Sequence, residues 1–175
     1  MRIREERPDD VERIRNVQAA AFRRSDTPAG QLPMEAPLVD ELRADPEAWI
    51  PELSLVAVAD DDLVVGHVVC SRAWVGEERR PALGLGPIGV LPERQGDGIG
   101  SALVRAAIAV AETRREPLIG LLGSPQYYGR FGFVRSTEHG VHPPDPSWGE
   151  HFQVRLLADH DPSIIGTFRY PAGFD

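Results

Sequence analysis

The segment Gln95-Gly96-Asp97-Gly98-Ile99-Gly100-Ser101 lies between an apolar run, Ile88-Gly89-Val90-Leu91-Pro92, and a helical pattern from Ser101 to Glu112. Glycines at 96, 98 and 100 leave backbone N–H groups unshielded by side chains. The helix behind them aims its positive end at the same point. Strand, bare-amide loop and helix N-terminus together make an anion site suited to a pyrophosphate.

Outward from this segment the pattern is strand, two helices, an antiparallel strand run and a strand–helix–strand crossover. Residues 2–6 alternate as a short strand. Pro8-Asp9-Asp10 marks a helix start, and Val11, Ile14, Val17 and Phe22 give that helix an apolar face. Residues 23–33 read as a loop, and 35–44 as a second helix stopped before Pro46. Strands are expected over 53–59 and 63–74, joined at Asp60-Asp61-Asp62, and over 82–91. The helix over 98–113 carries Ile99, Leu103, Ala106, Ala107 and Val110 on one face. Residues 118–122 read as a buried strand, 127–131 as a short helix and 132–135 as a strand start. Residues 138–150 read as a Pro/Gly/His-rich loop, and 152–158 and 166–170 as further strands. The order predicts an α/β or α+β chain, one domain over 1–175, with a mixed sheet and helices on both faces.

Composition narrows the function. A chain of 175 residues with 42% hydrophobic and 26% charged content is an ordinary globular composition. A formal charge of −8 disfavours a non-specific nucleic-acid binder. It leaves room for a CoA-type ligand, which backbone amides can hold, and mildly favours amine substrates. All 19 basic residues are arginine, which reads as codon bias and excludes a lysine nucleophile or Schiff base. The single Cys70 excludes an intrachain disulfide and a cysteine-based zinc cluster. The N-terminus has no apolar signal core, and no run approaches the ~18–20 apolar residues of a membrane span, so a cytoplasmic protein is expected.

Two glycine patterns compete. Gly84-Leu85-Gly86-Pro87-Ile88-Gly89 matches G-x-G-x-x-G literally. That fingerprint needs a preceding strand and a helix opening at its third glycine, whereas these glycines fall inside an extended segment interrupted by Pro87. No lysine exists for a P-loop. Residues 95–101 have the right context. Together with Val90 and Pro92 upstream, Gln95, Gly98 and Gly100 resemble motif A of the GCN5-related N-acetyltransferases (GNAT), whose loop reads Q/R-x-x-G-x-G/A. Residues 122–133, Leu-Gly-Ser-Pro-Gln-Tyr-Tyr-Gly-Arg-Phe-Gly-Phe, resemble the Y-x-x-x-G-F element of the same superfamily. The double tyrosine, the R-F-G-F run and the closing residues 166–174 resemble its YhbS-like bacterial subgroup. Where classical members carry an early Asn in the second element, Gly123 and Ser124 stand here, so that pantetheine contact is not transferred.

The resemblance implies a mixed, mostly antiparallel sheet whose strands on either side of the motif A helix splay apart. Ile88, Gly89 and Val90 would pair with pantetheine, and Gln95, Gly96, Asp97, Gly98, Ile99, Gly100 and Ser101 would hold the pyrophosphate of acetyl-CoA. The implied reaction is direct acetyl transfer to an amine, with the Val90 N–H polarising the thioester carbonyl. Tyr128, four residues before Gly132, matches the family's general acid; Tyr127 is expected to face elsewhere. Glu35, at the start of the second helix, is the candidate base, or otherwise a helix N-terminal carboxylate. His67 reads as a half-buried strand residue. His139, His142 and Trp148 lie in the long loop, either shaping an acceptor pocket or simply solvated. These histidines lack metal-ligand spacing, and no metal is expected. Cys70 is not expected to act as a nucleophile. A non-catalytic acyl-CoA-binding or regulatory module, and an enzyme using another acyl-CoA, are the alternatives. The acceptor's identity and the oligomeric state, a homodimer included, stay open.

Overall fold

Strands β2 (Ser54–Val58), β3 (Val64–Val75) and β4 (Arg80–Val90) are near-continuous Val, Ala, Leu and Gly runs, which suits strands covered on both faces. The computed structural model, which describes residues 1–174, shows why. β1 (Arg2–Glu5) pairs with β2, and helices α1 (Val11–Phe22) and α2 (Glu35–Ala44) follow it in the chain. After β4 come α3 (Ile99–Thr113), β5 (Leu118–Leu122), the one-turn α4 (Pro125–Tyr128), β6 (Val134–Arg135), β7 (Val141–His142), β8 (Phe152–Leu156) and β9 (Gly166–Arg169). The sheet has nine strands, with main order β1-β2-β3-β4-β5-β8-β6; β9 pairs with β3, and β7 with β9. Only β4–β5 and β7–β9 are parallel.

Glycines fix how closely the helices approach. A Cβ at Gly66 would lie 2.9 Å from Ile99 of α3, and one at Gly89 would lie 3.0 Å from the Ala21 Cβ of α1. Residues 66 and 67 point to opposite faces of the sheet, and His67 stands opposite Gly89. So α3 covers one face, while α1 and α2 cover the other. Leu55, Val68, Leu83, Leu103, Ala107 and Ile119 belong to the core under α3. Ile14, Val17, Val39, Leu42, Val56 and Val69 belong to the core under α1 and α2. The buried face of α3 includes Val104 and Ala111, with Ala106 and Val110 only partly covered, so it is rotated slightly from the face read in the sequence.

A hydrogen-bonded polar chain crosses the α1 face of the sheet. Gln18 and His67, both 0% exposed, meet at 2.8 Å (Nε2 to Nδ1). His67 Nε2 lies 2.9 Å from Ser54 Oγ, which bonds Glu6, and Arg43 closes the chain on Glu6 at 2.7 Å. The chain satisfies polar groups that burial would otherwise penalise.

The feature that shapes the rest of the molecule is the parting of β4 from β5. They pair only at Leu83↔Ile119 and Gly84↔Gly120. Beyond Gly84 the β3–β4 register shifts between Val68 and Cys70, a bulge that bends β4. Gly86, at φ 140°, sits at this shift in a conformation that L side chains rarely adopt. The edge of Leu85–Val90 is thereby left without a strand partner on the β5 side. The segment read as a loop over 138–150 contains β7, which pairs in parallel with β9 at Val141↔Gly166 and His142↔Thr167. Two residues bounded by a 3-10 turn and prolines carry too little alternation to announce a strand in sequence.

Candidate functional site

At the end of β4 the chain makes a 3-10 turn over Pro92–Arg94 and reverses through the glycine loop. Gly96 and Gly98 adopt φ of 86° and 80°, the left-handed region where only glycine sits without strain, and added Cβ atoms would meet nothing within 4 Å. These glycines serve the turn and keep its outer surface bare. Gly98 is the N-cap of α3, and the first helical bond runs from the Ala102 N–H to Gly98 O at 3.0 Å. The amides of Ile99, Gly100 and Ser101 therefore have no intrahelical acceptor and face outward with the positive helix end. Gln95 clamps the loop to the strand by donating from Nε2 to Val90 O at 3.2 Å.

These groups line a groove of about 450 Å³. Ile88, Gly89, Val90, Gln95, Gly96, Gly98, Ile99, Gly100 and Ser101 all line it. Asp97 does not; its carboxylate turns onto Arg94 at 3.0 Å. Arg94 and Arg130 bring cationic charge to the groove that sequence reading did not single out. Tyr127 also lines it, its hydroxyl 3.4 Å from Ser101 Oγ and its ring under the Arg130 guanidinium at 4.7 Å. That contact joins α4 to the start of α3 across the gap between β4 and β5, and spacing alone could not show it.

A second, larger cavity of about 920 Å³ adjoins the groove, with Phe22 and Ile88 lining both. Tyr128 faces this cavity. It diverges from Tyr127 by about 100° around the same helical turn, as adjacent helical residues do. The one-turn helix starts at Ser124-Pro125, a capping residue and a proline at the first helical position. The Tyr128 ring packs edge-on against Tyr127 at 4.9 Å and Phe133 at 5.9 Å, and its Cδ2–Cε2 side fills the space a Cβ at Gly123 would need. Burial, with a smaller effect from Tyr127, pushes its phenol up to about 12, so it stays protonated at neutral pH.

Residues 2–135 match the family described as Acetyltransferase (GNAT) domain. The chain belongs to the GNAT acetyltransferases. It is 35% identical over 166 residues to the Escherichia coli K12 protein named uncharacterized N-acetyltransferase YjhQ, covering 91% of this chain and 86% of that one. The crystal structure of the GNAT family N-acetyltransferase YhbS from Escherichia coli in complex with CoA superposes with a TM-score of 0.85 at 28% identity, covering 99% of this chain and 91% of that one. A GNAT family acetyltransferase from Brucella melitensis in complex with acetyl-CoA superposes at 0.78 with 37% identity, covering 99% and 97%. As a GNAT member the chain is an acyltransferase, and its sheet and splay are those of the fold.

Within the GNAT frame the other sequence candidates separate. Glu35, at the first position of α2, lines the larger cavity and has no ion-pair partner among the described residues. Trp148 and Asp145, from the segment read as a loop, line the same cavity. Asp145 is held below the usual carboxylate range by the backbone and side chain of Ser147. His139 and His142 are not among its lining residues. His67 is completely buried rather than half-buried, and desolvation pulls its imidazole down to about 3. Cys70 is buried, and desolvation raises its thiol to about 12. No group of three or more candidate metal ligands occurs among the described residues, and no described helix is long and apolar enough to cross a membrane.

Proposed function

We propose that the chain transfers an acetyl group from acetyl-CoA directly to the primary amine of a small molecule or peptide, with residues 1–175 acting as one catalytic domain. The observation that carries this reading is the parting of β4 from β5 after Gly84, which joins the amide cradle to the Tyr128 cavity in one groove. The cradle fits a diphosphate. Its donors are main-chain amides without partners, and its glycines leave the space that Cβ atoms would narrow. The open β4 edge at Ile88, Gly89 and Val90 fits the amide-bearing pantetheine arm, in the manner of an added strand.

The chemistry follows from the order of groups along this groove. A neutral amine nitrogen attacks the thioester carbonyl carbon, and the Val90 N–H stabilises the charge that gathers on the carbonyl oxygen. The C–S bond then breaks as the Tyr128 hydroxyl donates a hydrogen bond to the departing sulfur, and the released thiolate takes its proton from water. The new amide nitrogen gives up its extra proton to Glu35 or to water. A phenol at about 12 is too weak an acid to protonate a free thiolate fully at equilibrium. Its value lies in the transition state, where it donates a hydrogen bond to sulfur as charge develops. The structural relatives bound to CoA and acetyl-CoA support the choice of donor.

The deciding assay follows free-thiol release from acetyl-CoA against amines, amino acids, aminoglycosides and peptides. Amine-dependent thiol release with one acetylated product is the expected result. CoA binding without acceleration by any amine would make the chain a non-catalytic acyl-CoA module. Tighter competition by succinyl- or propionyl-CoA would change the donor.

A further inference from the structure

The cavity beside Tyr128 carries a chemical signature of its own. Its walls are mostly apolar, including Phe22, Leu85, Pro87, Trp148, Phe168 and Phe174. The charged groups on the wall are Glu35, Asp145 and Arg169. Glu35 makes no side-chain hydrogen bond or ion pair among the described residues, and Asp145 Oδ1 accepts from the Ser147 N–H at 2.9 Å. Arg169 has no ion-pair partner among the described residues. Two carboxylates set in an aromatic wall, with a cation nearby, suit one ammonium and an uncharged body. A polyamine would set further ammonium groups against Arg169 and apolar wall. A polyhydroxylated amine would bury hydroxyls with too few partners, which costs binding.

The geometry points to an acceptor that is a primary amine on an aromatic or branched aliphatic body, its ammonium guided by Glu35 and Asp145. This inference rests on the acetyl-transfer reading above and adds the acceptor class. The nitrogen arrives charged, loses a proton at the carboxylate end and meets the acetyl group beside Leu85–Ile88, while the ring fills the wall under Trp148. Met34 is 69% exposed and stands at the mouth, so it can be changed without disturbing the core.

The test measures kcat/KM with acetyl-CoA for phenethylamine, tryptamine, ethylamine, spermidine and kanamycin. The ring-bearing amines should exceed ethylamine by about 100-fold, from the apolar area buried, and the hydrophilic amines by at least ~10-fold. Trp148→Ala and Met34→Ser should lower kcat/KM for tryptamine by about 10-fold and about 3-fold, and for ethylamine by a smaller factor, so that the preference for the ring-bearing amine narrows. Ethylamine, spermidine or kanamycin equal to or better than tryptamine overturns the inference and leaves acetyl transfer standing. If no amine is acetylated, calorimetry of tryptamine and spermidine on the CoA-saturated protein decides. Tighter tryptamine binding that Trp148→Ala abolishes keeps the cavity assignment while the acetyl-transfer reading fails. No preference for tryptamine overturns both.

Discussion

Tyr127 and Tyr128 show how much one residue of register decides. Both sit on one helical turn, yet one hydroxyl meets Ser101 in the groove beside β4 and the other ring faces the larger cavity. Tyr128→Phe should lower kcat by about 10²–10³-fold with CoA affinity unchanged, since only the hydrogen-bond donor is removed. Because burial pushes this phenol up to about 12, the pH profile of the wild type should show no fall from Tyr128 ionisation below pH ~10. A loss of under threefold in the variant would remove Tyr128 from the mechanism. Gly123 tests the same ring from behind. A Cβ there would press on Tyr128, with Cδ2 only 2.9 Å away, and the ring is hemmed in by Phe131 and Phe133. Gly123→Ala should therefore reduce kcat by about 10-fold through a displaced phenol, leaving CoA binding near normal, as expected when a catalytic group is misplaced. Equal kcat in the two proteins would show that the ring position does not matter. Attention to Tyr128 came from the family resemblance, through its position four residues before Gly132. Its dependence on Gly123 was not legible in the sequence, because a contact across a turn leaves no periodic mark.

The elements divide in the same way. The helix over 99–113 and the strands over 54–58, 64–75 and 118–122 were legible because their apolar periods match the structures that bury them. The polar chain from Gln18 to Arg43 was not, since its members come from α1, β3, β2, the residue after β1 and α2 and share no local pattern. Its proton order can be fixed from one end. Glu6, paired with Arg43, only accepts, so Ser54 donates to it and itself accepts from His67 Nε2–H. Nδ1 is then bare and accepts from Gln18 Nε2 at 2.8 Å. Burial, aided by Arg43, pulls this imidazole from 6.5 to about 3. Below pH ~6.5 the unfolded chain binds a proton here that the folded chain refuses. Stability present above pH ~6.5 is thus lost as pH falls toward 3, by about 2 kcal/mol at pH 5 from this group. Urea unfolding at pH 7 and pH 5 should show that loss, and His67→Gln should flatten it. Nitrogen NMR should find one neutral Nε2–H tautomer at both values; an imidazolium signal at pH 5 would contradict this account.

At the scale of the molecule, charge and groove act on the two substrates in opposite ways. The chain carries a formal charge of −8, yet the proposed cradle would hold an anion. Recognition there falls to main-chain amides and a helix end, whose partial charges act over short range, with Arg94 and Arg130 as the local cations. Under the proposed reading, the same overall charge would draw an ammonium toward the carboxylates of the larger cavity. Long-range attraction of this kind is screened over ~8 Å at physiological ionic strength and much less at 0.01 M. For a singly charged amine, kcat/KM should therefore fall by about 3–10-fold between 10 mM and 500 mM NaCl. The bound complex is already formed when kcat is measured, so kcat itself should stay within about twofold. Glu35→Gln combined with Asp145→Asn should remove most of that salt dependence if the two cavity carboxylates focus the field, and only a small part if the whole acidic surface does. Measuring kcat/KM against NaCl in both proteins separates the two sources. A profile flat in salt for the wild type would show that the acidic surface plays no part in bringing the amine to the groove.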